Sequence, residues 1–159
     1  MSYTDRVVAY VTRERDGRRE LLVFDHRDHP DAGTQVPAGR LEAGEDLEEG
    51  LARELHEEAG LEDARIVRRL GEFDGETLGH GLGYRNHVYE LEAPEAPDGW
   101  EHEVFGDGDD SGLVFVYRWE PLTPDLRLWD GTDPVLALLR SSWSASRGSA
   151  EADPRRANS

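Results

Sequence analysis

Apolar residues along the chain gather into short runs, and the spacing inside those runs separates strands from helices. Arg6–Thr12 (RVVAYVT), Glu20–Phe24 (ELLVF), Arg65–Phe73 (RIVRRLGEF), Tyr84–Leu91 (YRNHVYEL) and Leu113–Trp119 (LVFVYRW) are rich in β-branched and aromatic residues and predict strands. Asp16-Gly17 predicts a hairpin between the first two, with a loop of two or more residues. Gln35–Gly39 (QVPAG) predicts a short strand running into a glycine turn. Between Asp46 and Ala59 the period lengthens: Leu47, Leu51 and Leu55 recur every fourth residue, the stripe of an amphipathic helix. Asp46 and Glu49 have capping-box spacing at its start, and Gly60 stands where a glycine cap ends a helix. Glu92–Gly112 is acidic and rich in Gly and Pro, which predicts a loop with a short strand around Trp100–Phe105. Asp133-Pro134 opens a second helix, with Val135, Leu136, Leu138 and Leu139 as its apolar face.

Composition adds boundaries to this pattern. The apolar runs predict one folded domain over residues 1–143, and Ser144–Ser159, without an apolar period, a disordered tail. A formal net charge of −17 repels nucleic-acid phosphates and anionic membranes, so neither general backbone binding nor membrane association is expected. It also repels a free nucleotide, so a polyphosphate enzyme of this charge needs bound cations or a local Arg patch. All 18 Lys and Arg positions are Arg, a bias that fits either a GC-rich coding sequence or salt adaptation. The chain has no cysteine, which removes thiol catalysis and zinc–thiolate sites. Without an apolar signal core at the start or a long apolar stretch, the expected compartment is the cytoplasm.

The helix carries an unusual set of acids. On a wheel of about 100° per residue with Leu51 at zero, Glu58 falls near about 340°, Glu54 near about 300° and Glu57 near about 240°. Three carboxylates therefore crowd one edge of the buried stripe, at i, i+3 and i+4. Glu57 and Glu58 occupy the last turn, where the helix dipole opposes them, and Glu58 intrudes on the apolar arc, where a lone charge is desolvated. A hard divalent cation with oxygen ligands removes both objections. The turn before the helix adds Gly39, which permits close backbone approach, so that a carbonyl there joins the candidate ligands. Glu45 and Arg53 have opposite charge, and Arg53 is placed to bridge to Glu45 or Glu57.

These residues form a longer pattern. Gly39-Arg40-Leu41 through Gly60-Leu61 (GRLEAGEDLEEGLARELHEEAGL) resembles the Nudix box, with Gly39, Glu45, Arg53, Glu54, Leu55, Glu57, Glu58, Gly60 and Leu61 filling nine constrained places in 23 residues. The resemblance implies an α/β fold: a Nudix-type α/β/α sandwich with a mixed β-sheet between helices. It also implies metal-dependent hydrolysis of a diphosphate linkage in a nucleoside diphosphate derivative, by attack of water on phosphorus. Carried over by position, Glu54, Glu57 and Glu58 would bind Mg2+ or Mn2+ with help from Gly39, while Arg53 and Glu45 orient them. Glu54, Arg53 and Glu57 are the expected catalytic group. The general base differs among family members; Glu54 is one candidate, and Glu101 or Glu103 in the acidic loop another.

Outside the box the signals are weaker. Arg85 and Arg118 are candidate phosphate contacts or, equally, partners for the surplus acids. Asp107–Gly112 begins like a calcium loop, but Arg118 stands where a bidentate Glu is required. Gly79–Gly83 fails dinucleotide spacing. Four tryptophans, Trp100, Trp119, Trp129 and Trp143, fit packing better than base stacking. Family members preferring ADP-ribose have a Pro about 15 residues past the box, where Glu76 stands; those cleaving dinucleoside polyphosphates have a Tyr where Thr77, Leu78 and Gly79 stand. Pro37-Ala38-Gly39-Arg40 resembles ADP-ribose hydrolases. The expected partner is a small nucleotide, the substrate and oligomeric state stay open, a dimer included, and the alternative function is a catalytically silent Nudix-fold nucleotide sensor or protein-interaction module.

Overall fold

A computed structural model describes residues 3–76, 83–106 and 111–128, together with Leu139. Its described strands are β1 (Tyr3–Arg15), β2 (Arg18–His26), β3 (Ala38–Arg40), β4 (Arg65–Glu76), β5 (Gly83–Glu92), β6 (Gly99–Glu103) and β7 (Val114–Pro121), with the α-helix α1 (Leu47–Ala59) and a short 3-10 helix at Pro30–Ala32. They form one mixed sheet in the order β4-β5-β1-β2-β7-β6, in which β1 and β5 run parallel. The β1–β2 hairpin closes with two residues, since Arg15 pairs with Arg18, and Asp16 and Gly17 both have positive φ (53° and 76°). That is the twist a two-residue hairpin requires, and Asp and Gly are residues that tolerate it.

One irregularity of the sheet makes room for the site. β1 pairs with β2 only through Thr12–Arg15. Nearer its start the same edge instead takes β3, with Val7 opposite Gly39. The strand starts at Ala38 rather than at Gln35 as the pattern predicts, because Pro37 has no N–H to give a ladder. Gln35 keeps a single bridge to Phe24.

Alternation along β1 divides the core in two. Val7, Ala9 and Val11 face α1, where Leu51 and Leu55 are 1% exposed and Leu47 packs at the margin. Each fully buried leucine contributes about 1.5–3 kcal/mol, so the stripe anchors the helix to the sheet. Val8 and Tyr10 face the other side, together with Val88, Leu128 and helical Leu139. Layers thus form on both sides of the mixed sheet, as the sandwich expectation requires. The remainder of the expected second helix, the tail from Ser144, Trp129, Trp143 and residues 77–82 and 107–110 lie outside the described residues.

A polar island interrupts the second face. Glu90 on β5 is 1% exposed, accepts a hydrogen bond from the Thr12 hydroxyl (2.8 Å), and forms ion pairs with Arg19 and with Arg68 (3.0 Å). A buried carboxylate persists only with such partners.

Candidate active site

The site is built on α1, and the ends of α1 are set by its sequence. Asp46 accepts a hydrogen bond from the Glu49 amide (2.8 Å) while Glu49 accepts one from the Asp46 amide (3.2 Å), completing the capping box. At the other end Gly60 adopts the left-handed conformation (φ 72°) and its amide donates to the carbonyls of His56 and Leu55. Between these ends the three carboxylates share one side, as the wheel requires.

Arg53 is the hub. Its Nε donates to Glu45 (2.7 Å), one terminal nitrogen to Glu54 (2.9 Å) and Glu57 (3.1 Å), and the other to Glu45 (2.9 Å) and the Arg40 carbonyl (2.9 Å). A planar fork with five donors can serve all of these at once, which an ammonium cannot. Hydrogen bonds from Arg53 hold the Glu45 carboxyl below the usual carboxylate range, and the same contacts raise Arg53 itself, Glu45 contributing most. Arg53 therefore bridges to both Glu45 and Glu57, tying the loop before α1 to the helix.

Glu54 is balanced differently. Burial is the largest influence on it and pushes its carboxyl above the ordinary range, and the nearby Glu57 charge adds to the rise. Hydrogen bonding with Glu58 and the Arg53 charge work in the opposite direction. The Glu54 carboxylate lies directly on Gly39, and any Cβ at that position would overlap it. Gly39 is thus required for the close approach expected from sequence. Glu58 is 6% exposed and accepts from the Ala38 amide (3.2 Å), so it is desolvated inside the apolar arc.

The last turn of α1 is gripped from outside. His102 Nε2 meets the Glu57 carbonyl (2.9 Å), and since a carbonyl only accepts, that nitrogen carries the proton. The Phe105 amide donates to the same oxygen (3.3 Å), the Tyr117 hydroxyl to the Glu58 carbonyl (2.9 Å), and Trp100 Nε1 to the Ala59 carbonyl (2.9 Å). Carbonyls that a helix end leaves without partners are satisfied here by β6, β7 and the segment between them. Removing one such donor isolates its buried acceptor. Tyr117→Phe is expected to cost about 1–2 kcal/mol, lowering Tm by about 3–6 °C in a domain of this size; a thermal melt at constant magnesium checks it.

Other expected residues land elsewhere. Glu101 and Glu103 are exposed and alternate along β6 with Trp100 and His102, the two that turn toward α1; Glu101 pairs with Arg27 (3.4 Å). Arg118 alternates with the core residues Tyr117 and Trp119, so it stands on the sheet face away from α1, paired with Asp25 and with Glu120 (2.6 Å). Arg85 pairs with Asp74 (3.4 Å). The structure therefore brings together Gly39, Glu45, Arg53, Glu54, Glu57, Glu58 and Gly60, and not the downstream candidates. His102, Trp100, Tyr117 and Gly106 are additions that local pattern does not mark.

The donor set suits a hard cation. Its side chains are all carboxylates: Glu58 is buried at the Ala38 amide, the Glu54 side chain is 12% exposed and lies on Gly39, and Glu57 lies on Gly106. Among the described residues no three His, Asp or Glu side chains are already converged as a ready cation site. Of these three acids Arg53 engages Glu54 and Glu57, and Glu54 is hydrogen-bonded with Glu58.

Comparison with known proteins gives this arrangement its class. A family model described as the NUDIX domain matches residues 2–139. The chain belongs to the Nudix family, and its enzymatic class is that of a Nudix pyrophosphohydrolase. No curated protein sequence matches it. Its fold is similar to a C. elegans Ap4A hydrolase solved as a binary complex, with 18% identity, a TM-score of 0.62, and coverage of 89% of this chain and 98% of that one. It is also similar to a MutT NUDIX hydrolase from Burkholderia pseudomallei (23% identity, TM-score 0.57, coverage 87% and 98%). The NUDIX domain of Shewanella oneidensis NrtR, solved with ADP ribose, is a third (15%, TM-score 0.63, coverage 90% and 90%). At these identities the likeness concerns the fold. No described helix is long and apolar enough to cross a membrane.

Proposed function

We propose that this protein hydrolyses the diphosphate linkage of a small nucleoside diphosphate derivative, using Mg2+ or Mn2+ held by Glu54, Glu57 and Glu58 with a backbone carbonyl near Gly39. Candidate substrates are nucleoside triphosphates, nucleotide sugars and ADP-ribose. The observation that carries the reading is the Glu54–Glu58 pair: a buried carboxylate hydrogen-bonded with a largely buried one that desolvation drives toward its neutral form, beside a third in the same helical turn. Such an arrangement is unfavourable unless positive charge binds to it. The ADP ribose bound to the NrtR domain and the Ap4A hydrolase fold support a nucleotide as the ligand.

When bound, a divalent cation offsets phosphate charge and lowers the pKa of a bound water. The chain supplies the rest. Glu54, wedged against Gly39, is held in one place, where its carboxylate can accept a proton from water. Arg53 keeps Glu54 and Glu57 oriented and fixes the preceding loop through Glu45 and the Arg40 carbonyl. Product release from a panel of these nucleotides, with Mg2+ and with Mn2+, tests the reading; no turnover of any member would sink it.

The Glu54 shift makes a prediction of its own. Because its folded pKa is raised, the folded protein without metal loses stability as pH rises from the ordinary carboxylate range through the folded value. A cation favours the ionised form and displaces that proton. The Tm gain on adding Mg2+ is therefore expected to be small in the ordinary carboxylate range, to grow as pH rises through the folded Glu54 value, and then to level off. Melts with and without Mg2+ across this range check it. A gain that is largest in acid would reject the assigned linkage.

A further inference from the structure

Glu57 is held at both ends by one stretch of chain. Its main-chain oxygen receives His102 Nε2 (2.9 Å) and the Phe105 amide (3.3 Å). Its carboxylate lies directly against Gly106, where a Cβ would overlap both an oxygen and the carboxyl carbon. Gly106 has φ +102°, a conformation that side chains rarely adopt, and with no Cβ it leaves the carboxylate room. The half-exposed Phe105 ring makes edge contacts with His56 (4.9 Å) and His102 (5.7 Å).

We propose that the segment 102–106 is a positioning element for the metal site, with Gly106 the residue that sets where the Glu57 carboxylate lies. The inference rests on the metal-dependent reading above and deepens it. Gly39 does the corresponding work for Glu54, so each of two carboxylates is seated on its own glycine, one before the helix and one far beyond it. An alanine side chain at this glycine displaces the Glu57 carboxylate by its own volume. Outer-shell changes of this kind typically weaken metal binding by about 10–100-fold.

Gly112 provides the control within the same β6–β7 connection. Its φ is +91°, so alanine there is strained as well, but no described atom lies within 4 Å of its Cβ position. The experiment compares Gly106→Ala, Gly112→Ala and wild type in the full chain, measuring Tm, Mn2+ affinity by titration of the free-ion electron paramagnetic resonance signal, and kcat and KM on the panel nucleotide cleaved fastest. Gly106→Ala should weaken Mn2+ binding about 10-fold or more and lower kcat with KM less affected. Gly112→Ala should lower Tm comparably while keeping wild-type Mn2+ affinity and kcat. Glu57→Asp, which withdraws the carboxylate by one methylene, should cost less in the Gly106→Ala background than in wild type, a coupling that a double-mutant cycle reads directly. If Gly106→Ala does not fold, His102→Leu and His102→Gln replace it: Gln retains a donor for the Glu57 carbonyl and should rescue the Mn2+ affinity that Leu loses. Wild-type Mn2+ affinity in Gly106→Ala or His102→Leu overturns the proposal, as do equal losses in the two glycine variants. A wild-type protein that binds no Mn2+ and cleaves no nucleotide overturns the hydrolase reading and this one together.

Discussion

Glu57→Gln is expected to lower kcat by about 100–1,000-fold, the range seen when one group that stabilises charge in a transition state is removed. The substitution keeps shape and both main-chain contacts from His102 and Phe105, so the last turn of α1 stays capped. What it removes is one negative charge of the three on this side of the helix. The loss should appear in kcat and in the apparent affinity for Mg2+, while Tm without metal stays level or rises, because like charges repel less. The direction of that change follows from the structure, since Glu57 is one of the influences that push Glu54 upward. Steady-state kinetics over a magnesium series, together with a melt, decide the matter. Retained turnover at wild-type magnesium dependence would remove Glu57 from the proposed ligand set.

How far the sequence reaches can be seen around this same residue. Helix α1 is legible because its signals are local: the leucine period, the Asp46–Glu49 box and the Gly60 cap all lie within a few residues of what they control. The same holds for the Asp16-Gly17 turn, where two positive φ angles need two tolerant residues. What fixes Glu57 and its neighbours in space is not local. Trp100, His102 and Tyr117 reach the last-turn carbonyls from 41, 45 and 59 residues away, through a sheet order no periodicity encodes. Trp100 reads as packing, and it does pack, stacked on Tyr117 at 4.8 Å, but its indole N–H also serves the helix. Gly106 carries no sign in sequence that a carboxylate lies against it.

Charge misleads in a related way. In a chain of net charge −17 an isolated Arg invites assignment to phosphate, yet Arg118 is engaged by Asp25 of β2 and Glu120 of its own strand, and Arg85 by Asp74 of β4. The partners of buried Glu90 come from β1, β2 and β4, so its burial follows only from the strand order. By contrast the desolvation of Glu58 is legible, because position on a helical wheel and burial of the leucine stripe are one fact.

Arg53→Leu is expected to lower Tm by about 4–16 °C and to remove most turnover. The stability estimate follows from the partners left behind. Glu45, Glu54 and Glu57 have side chains only 13%, 12% and 14% exposed, and Arg53 is the cation shared by all three. Removing one member of a buried ion pair costs about 3–5 kcal/mol. Arg53 itself is 22% exposed, so solvent screening reduces this to about 2–4 kcal/mol. For a domain of this size each kcal/mol corresponds to about 2–4 °C. Arg53→Lys keeps the charge but cannot span Glu45, Glu57 and the Arg40 carbonyl together, so it should fall between wild type and Leu. Two further readouts separate the structural part from the catalytic part. Added Mg2+ should recover some of the lost Tm, since a cation at the proposed site neutralises Glu54 and Glu57 but leaves Glu45 with the Glu42 amide and no cation. The acid limb should also flatten. In wild type the depressed Glu45 pKa gives stability that is present above the unfolded carboxylate range and lost as pH falls through the folded value. Without Arg53 the largest cause of that depression is gone. A variant that melts like wild type at neutral pH, with the same acid dependence, would show that the Arg53 network adds nothing to stability and would leave only its orienting role to be tested by kinetics.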